Sequence, residues 1–464
     1  MPKIKTRFAP SPTGYLHIGG LRTALFNYLF AKQNKGEFVL RIEDTDQERL
    51  VAGAEEKLIK TLDNLGLEHD KEIIKQSDRL KTYQDIAQEL VDKKLAYKCY
   101  CSTERLKELR DKQQANKQVP KYDNHCRDLE PDPNNKNKFV IRFKIPTDQI
   151  VEAEDSVHGK ISVKSQDLDD FVILKSDSWP TYHLANVIDD YDMKTSHVIR
   201  GEEWLPSLPK HKLLYDALEY KLPIFIHLPL LLNPDKSKLS KRQGDVAVED
   251  FLAKGYLPQA LLNYLALLGW NPGNDQELFS LQELIKTFNT KQINKAGAIF
   301  DLQKLNWFNA EYIRNIIKSG GDDYKNLVKL TSNFVDNKPE EILKLFGSRI
   351  NNLAELKELS QFLWQLPEYP GKLLIFKKSD EKKTRLGLTS AYTILETIDD
   401  WTQENLNITI AKVVEKHELN PGDVFWPLRM ALSGLEKSPS PAEILEFLGK
   451  EKSLKLIKKA VDKL

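Results

Sequence analysis

The stretch Arg7–Gly20, RFAPSPTGYLHIGG, constrains the fold of this chain more than any other. It opens inside an alternating run (Ile4, Thr6, Phe8) that reads as a short strand. Pro10 and Pro12 then exclude both regular elements and force an open turn. Gly14, His17, Gly19 and Gly20 follow, and behind them Leu21, Ala24, Leu25, Tyr28 and Leu29 fall on one helical face. Strand, glycine-bearing turn and helix N-terminus together form the unit with which a parallel α/β sheet offers backbone N–H groups to a phosphate. His17 adds a side-chain donor at the same spot. The plainer alternative is an ordinary βα turn with an incidental histidine.

The pattern continues in the same style. Glu37–Asp46 reads as a second strand ending in acids, where open α/β sheets place ligands, so Glu43 is a candidate for holding a substrate cation. Asp46 reads better as a capping or solvated residue. From Ala96 to Pro180 the alternation becomes short and mixed: a polar helix from Thr103 capped by Ser102, a strand over Lys138–Lys144, a pair turning at His158-Gly159, and a strand over Asp170–Lys175. Such strands do not continue a doubly wound sheet and read as an insertion between its halves. The three cysteines lie here, as Cys99-x-Cys101 and Cys126. They suggest a zinc knuckle wanting a fourth ligand, with Asp128 and His125 at hand; the alternative is three free buried thiols.

The parallel style resumes with PTYHLANVIDDYD, a strand ending at Arg200, and the apolar run Ile224–Leu232. That run leads into a loop carrying Lys236, Lys238, Lys241 and Arg242, with Ser237, Ser240 and Gly244 nearby. The loop is either a polyphosphate clamp or a solvated basic segment. Beyond Gly244 the chain is helical: Pro258–Trp270, then Ser280 and Glu283 at capping-box spacing, then helix-period segments to the C-terminus with almost no strand signal. Phe376–Arg385 and the tail from Glu451 each carry a net charge of +3. The whole chain nets only +1 over 464 residues, so any nucleic-acid contact must use local patches. Three cysteines exclude a disulfide scaffold. MPKIKTRF lacks the apolar core of a signal peptide, and no run approaches the ~20 apolar residues of a membrane span. The expectation is a multi-domain, cytoplasmic chain with no membrane segment.

Taken together, RFAPSPTGYLHIGGLRTALFNYLFA, RIEDTD, PTYHLANVIDD, IRGEEW and KLSKR occur in the order in which they stand in bacterial-type glutamyl-tRNA synthetases, a family of class I aminoacyl-tRNA synthetases that the chain resembles along its length. His17-Ile18-Gly19-Gly20 is similar to that family's HIGH signature, and Lys238–Arg242 to its KMSKS. The resemblance implies an α/β multi-domain protein: a Rossmann-type class I catalytic fold (residues 1–95 and 182–232) split by an α+β acceptor-binding insertion (96–181). A stem-contact region with the KLSKR loop (233–316) and an all-α anticodon-binding region (317–464) follow. Glutaminyl relatives use β-barrels in that last place, which the missing strand signal argues against.

The implied chemistry is attack of the glutamate α-carboxylate on the α-phosphate of ATP, with Mg²⁺, followed by transfer to the terminal adenosine of tRNA(Glu). tRNA(Gln) is a further acceptor to consider, and the chain is expected to work as a monomer. On this resemblance His17, Gly19 and Gly20 face the α-phosphate, while Lys238, Ser240 and Lys241 face the departing phosphates. Arg7, Ser11, Glu43, Tyr182, Asn186, Arg200 and Trp204 enclose glutamate, and Glu203 lies toward the ribose or adenine. Asp128 stands where zinc-binding members place histidine or tyrosine, so the expected metal set is Cys99, Cys101, Cys126 and Asp128. A shortened relative that modifies a tRNA base would lack the helical third. A small HIGH-type adenylyltransferase would need neither that third nor the insertion.

Overall fold

A computed structural model of the protein describes residues 3–129, 137–239 and 246–464. It divides into two compact units, residues 1–253 with 258–305, and residues 254–257 with 306–464.

In the first unit, strand β1 (Lys5–Phe8) leads through the proline-glycine turn into helix α1 (Ile18–Gln33). His17 caps the helix, its Nδ1 accepting the Gly19 N–H at 3.0 Å. The helix is buried nearly all round, Asn27 and Arg22 included, so it lies inside the layers instead of on their surface. Strand β2 (Glu37–Ile42) is buried at every position and pairs in parallel with β1, and β3 (Ile74–Lys75) extends the sheet beyond β2.

Strands β4 (Ala96–Cys99), β5 (Val140–Phe143) and, further on, β8 (Val172–Leu174) form a separate antiparallel sheet, joined by the Ser102-capped helix Thr103–Ala115. Between them, β6 (Ile150–Asp155) and β7 (Gly159–Lys164) make the hairpin expected around His158-Gly159. This hairpin departs from its expected place. It joins the sheet of β9 (His197–Gly201) and β10 (Ile224–Leu228) in the order β7-β6-β10-β9. It is held there by the Ser156 N–H to Phe225 carbonyl bond at 2.9 Å, by Val151 and Ala153 in the core, and by buried Asp155, which accepts the His227 backbone N–H at 3.0 Å.

The two sheets meet at β1 and β9, where Ser196 bonds both the N–H and the carbonyl of Lys5. Neighbouring β1 and β9 ends with a helix N-terminus above them are the switch point of a doubly wound sheet. The apolar run Ile224–Leu232 is not one strand. Pro229 lacks an N–H, and β11 (Leu231–Leu232) pairs instead with β12 (Ala298–Ile299). Buried Arg22 donates to the carbonyls of Pro229 and Leu268, tying α1 to this bend.

The second unit is helical, with no strand among its described residues. Its helices include Pro339–Phe346, Glu381–Thr397, Gln403–Lys416 and Pro421–Ser433. The last helical segment breaks in two, Pro441–Leu448 and Lys450–Val461, at Gly449, whose φ is +76°. No described helix is long and apolar enough to cross a membrane.

Candidate active site

The C-terminal ends of β1 and β9, the first turn of α1 and helix Tyr182–Asp192 enclose a cavity of about 270 Å³. Arg7, Ser11, Gly19, Gly20, Glu43, Tyr182, Arg200, Glu203 and Trp204 all line it, so residues up to two hundred positions apart converge. A second cavity of about 530 Å³ shares Ser11, Glu43, Tyr182 and Trp204 and extends past Thr45 and Lys175.

The two arginines of the cavity have opposite surroundings. Arg7 is a closed pair: its Nε and Nη2 donate to the two oxygens of Asp190 at 2.9 and 3.2 Å, with both side chains buried. Arg41, wholly buried on β2, donates to Asp190 at 2.7 Å and to Glu43 at 2.9 Å. Against the upward push of burial, Arg7 and Arg41 hold the Asp190 carboxyl below its usual range. Burial pushes the Glu43 carboxyl up, opposed by the charge and hydrogen bond of Arg41. Asn186 belongs to this network and does not line the cavity. With its amide oriented to satisfy both neighbours, it donates to Asp190 at 3.2 Å and accepts from Arg41 at 2.9 Å.

Among the described residues, Arg200 meets only neutral acceptors. Nε donates to His227 Nε2 at 3.0 Å, Nη1 to the Tyr182 hydroxyl at 2.9 Å and His211 Nδ1 at 3.3 Å, and Nη2 to the Trp204 carbonyl at 3.4 Å. Burial lowers the pKa of both His227 and His211, which keeps the rings neutral beside the cation. Tyr182 and Trp204 stack at 4.1 Å and form one wall. A buried guanidinium without a carboxylate partner is built to receive one.

At the N-terminus of α1, the Gly19 N–H is already taken by the His17 ring, so it is not the open donor expected from the sequence, and His17 itself is not among the residues lining the cavity. Because Nδ1 accepts that bond, the ring proton sits on Nε2. Ile18 N–H bonds Val246 O, and Val248 N–H bonds Leu16 O, both at 2.9 Å, so the chain returns from the basic loop directly onto this turn. Lys238 is exposed at the start of that loop, opposite Leu232. Ser240, Lys241 and Arg242 lie outside the described residues. The Glu203 carboxylate folds back over Gly201, where a Cβ would stand 2.1 Å from its oxygen. Asp44 lines neither cavity and accepts the Ser77 N–H, while Asp46 lines only the second cavity and pairs with Arg49.

Away from the cavity, the thiols of Cys99, Cys101 and Cys126 lie within 4.8 Å of one another. Asp128 is not with them. It is exposed and pairs with Lys144 at 3.1 Å. The oxygen that meets the thiols is the Tyr122 hydroxyl, 3.3 Å from Cys99 Sγ and 3.5 Å from Cys101 Sγ, and it also accepts the Cys126 N–H at 2.9 Å. The three thiols supply three of the four donors of a tetrahedral zinc site, and the Tyr122 hydroxyl is the oxygen beside them.

Arg41, Asp190, His211, His227, Asp155 and Tyr122 were not anticipated. A signal existed for some of them: His227 is the lone polar residue in an apolar run, and Asp189-Asp190 directly follow the apolar pair Val187-Ile188 in their helix.

Comparison with known families places these features. Residues 3–307 match the family described as tRNA synthetases class I (E and Q), catalytic domain, and residues 302–461 match an anticodon binding domain. The glutamate–tRNA ligase of Clostridium botulinum (strain Okra / Type B1) is 44% identical over 478 residues, covering 100% of this chain and 99% of that protein. That of Clostridium novyi (strain NT) is 44% identical over 483 residues, covering 100% and 98%. Among solved structures, a glutamate tRNA ligase from Elizabethkingia meningosepticum in complex with its amino acid superposes with a TM-score of 0.86 at 34% identity, covering 99% of each chain.

Proposed function

The chain belongs to the class I glutamyl- and glutaminyl-tRNA synthetases, and from that premise we propose that the cavity below Trp204 is its glutamate site, with Arg200 reading the side-chain carboxylate. The enzyme ligates L-glutamate to tRNA(Glu) at the expense of ATP, through glutamyl-adenylate, releasing AMP and pyrophosphate. The observation that carries the site assignment is the asymmetry of the two arginines: Arg7 already has its anion in Asp190, and Arg200 does not.

Glutamate then fits in one direction. Its side-chain carboxylate meets Arg200 and the Tyr182 hydroxyl. Its ammonium meets Glu43, held in place by Arg41, and Ser11. Its α-carboxylate is left toward α1, where the Gly20 amide lines the cavity and His17 caps the same helix N-terminus, suited to an incoming α-phosphate. Negative charge grows on the phosphoryl oxygens in the transition state, so these donors act by electrostatic stabilisation. Lys238, with Lys241, is suited to the departing β,γ-phosphates, and Mg²⁺ arrives with the nucleotide. Glu203 lies toward the ribose. The adjoining cavity past Thr45 is open for the terminal adenosine of the acceptor. The insertion of residues 96–181 and the region 233–316 are read as acceptor-end and stem contacts, and the helical unit as the anticodon reader. We place the enzyme in the cytoplasm as a monomer. Separate charging of tRNA(Glu) and tRNA(Gln) decides whether both are acceptors.

His17→Ala tests the two-ended layout. Adenylate formation is expected to slow by about 10²–10³-fold, the usual size for a lost transition-state donor, with the glutamate KM within about threefold of wild type. A large rise in glutamate KM with an unchanged rate would overturn it.

Zinc is read as a clip for the insertion, held by Cys99, Cys101, Cys126 and Tyr122. Metal analysis of purified protein is expected to find about one equivalent, lost in Cys126→Ser. Zinc well below one equivalent in the wild type sinks the metal reading.

A further inference from the structure

We infer that His227 and Asp155 are positioning residues that aim the Arg200 guanidinium at the substrate's side-chain carboxylate. Neither lines the cavity, and both side chains are fully buried. In the parallel register of β9 and β10, His227 stands directly beside Arg200, which brings its Nε2 to 3.0 Å from Arg200 Nε. On the far side, His227 Nδ1 is 2.7 Å from Asp155 Oδ2.

That second contact decides what the first can be. A carboxylate accepts, so the ring proton sits on Nδ1 and Nε2 keeps its lone pair for the arginine. Asp155 cannot turn away, since Oδ2 also takes the His227 N–H at 3.0 Å and Oδ1 the N–H groups of Val157 and His158 at 3.0 and 2.8 Å. The result is a one-way chain from a backbone-pinned carboxylate through a single tautomer to Nε. Nη1 is fixed separately by Tyr182 and His211. With Nε and Nη1 both held, the guanidinium plane is set before substrate arrives. A carboxylate placed directly against Arg200 would aim it equally well, but it would also neutralise it. A neutral ring between the two keeps the cation available. The hairpin β6–β7 belongs to the catalytic sheet and carries Asp155, so this segment of the insertion reaches the specificity site.

The inference rests on the reading that Arg200 binds the substrate carboxylate, and the experiment separates the two. Full-length His227→Gln, His227→Asn and His227→Phe are assayed for aminoacylation with tRNA(Glu), beside Arg200→Ala. Glutamine's terminal amide oxygen reaches the place of Nε2 and still accepts from Arg200; asparagine's falls short, at the place of Nδ1. His227→Gln is expected to keep the glutamate KM within about threefold of wild type, while His227→Asn and His227→Phe raise it about ten- to a hundredfold, with the ATP KM within about threefold throughout. Equal glutamate KM values for the two amide variants would overturn the positioning role. Loss of folding in both would also overturn it, since the pair would then serve the sheet alone. If Arg200→Ala itself leaves the glutamate KM unchanged, the cavity reading fails instead.

Discussion

Replacing Arg200 by alanine is expected to lower kcat/KM for glutamate by about 10³-fold or more while the protein stays folded, a loss of roughly 4 kcal/mol of transition-state stabilisation. The size follows from the surroundings. Arg200 is buried, and its four recorded acceptors are a hydroxyl, two neutral imidazoles and a carbonyl. A substrate carboxylate is therefore its missing counter-charge, and the contact forms where water is scarce. The neutral acceptors also explain why the variant should fold. Losing the cation leaves His227, His211 and Tyr182 as neutral groups, a far smaller cost than an orphaned charge. Steady-state charging with tRNA(Glu), together with an unfolding curve, checks both halves.

Arg41 should behave in the opposite way. Arg41→Met is expected to destabilise the catalytic unit by about 3–5 kcal/mol, because it leaves Glu43 and Asp190 buried with one fewer cation. Arg41 touches Asp190 and Glu43 directly, and its Nε is 3.8 Å from Asp189, so three carboxylates depend on it. Its charge is held by those acids against burial. Glutamate binding should weaken as well, since Glu43 loses the partner that points it at the ammonium. Urea unfolding followed through the first transition measures the effect; a change below about 1 kcal/mol would contradict the network's role.

What the sequence revealed and what it hid divide along physical lines. The turn from Pro10 to Gly20 was legible because prolines and glycines limit the backbone locally, whatever the rest of the chain does. Glu43, Tyr182, Arg200 and Trp204 were legible through ordered motifs, and the structure brings them to one cavity. Partners were not legible. Nothing near Arg7 announces Asp190, which lies 183 positions away, and only the fold shows that this arginine is already neutralised. The same holds for metal donors: Asp128 sits at a suitable spacing from Cys126, but spacing does not report direction, and the Tyr122 ring is the group that turns inward. In sequence the β6–β7 hairpin reads as part of the insertion, because short alternating strands look alike wherever they pack. In the catalytic sheet it is held by pairing of β6 with β10, the Ser156 N–H to Phe225 carbonyl bond included, and by Asp155. Pro229 and Gly449 are local breakers visible in the sequence. Each ends an element that the hydrophobic pattern alone would carry through.

The central claim is that one unpaired guanidinium selects glutamate over its amide. The most direct measurement is the ratio of kcat/KM for glutamate to that for glutamine, with the same tRNA(Glu), in the wild type and in Arg200→Gln. The account predicts a ratio of about 10⁴ or more in the wild type, falling to within about tenfold of unity in the variant as the charge that rejects an amide is removed. A variant that keeps most of the wild-type preference would place the discrimination on another residue, Arg7 first among them, and contradict the account.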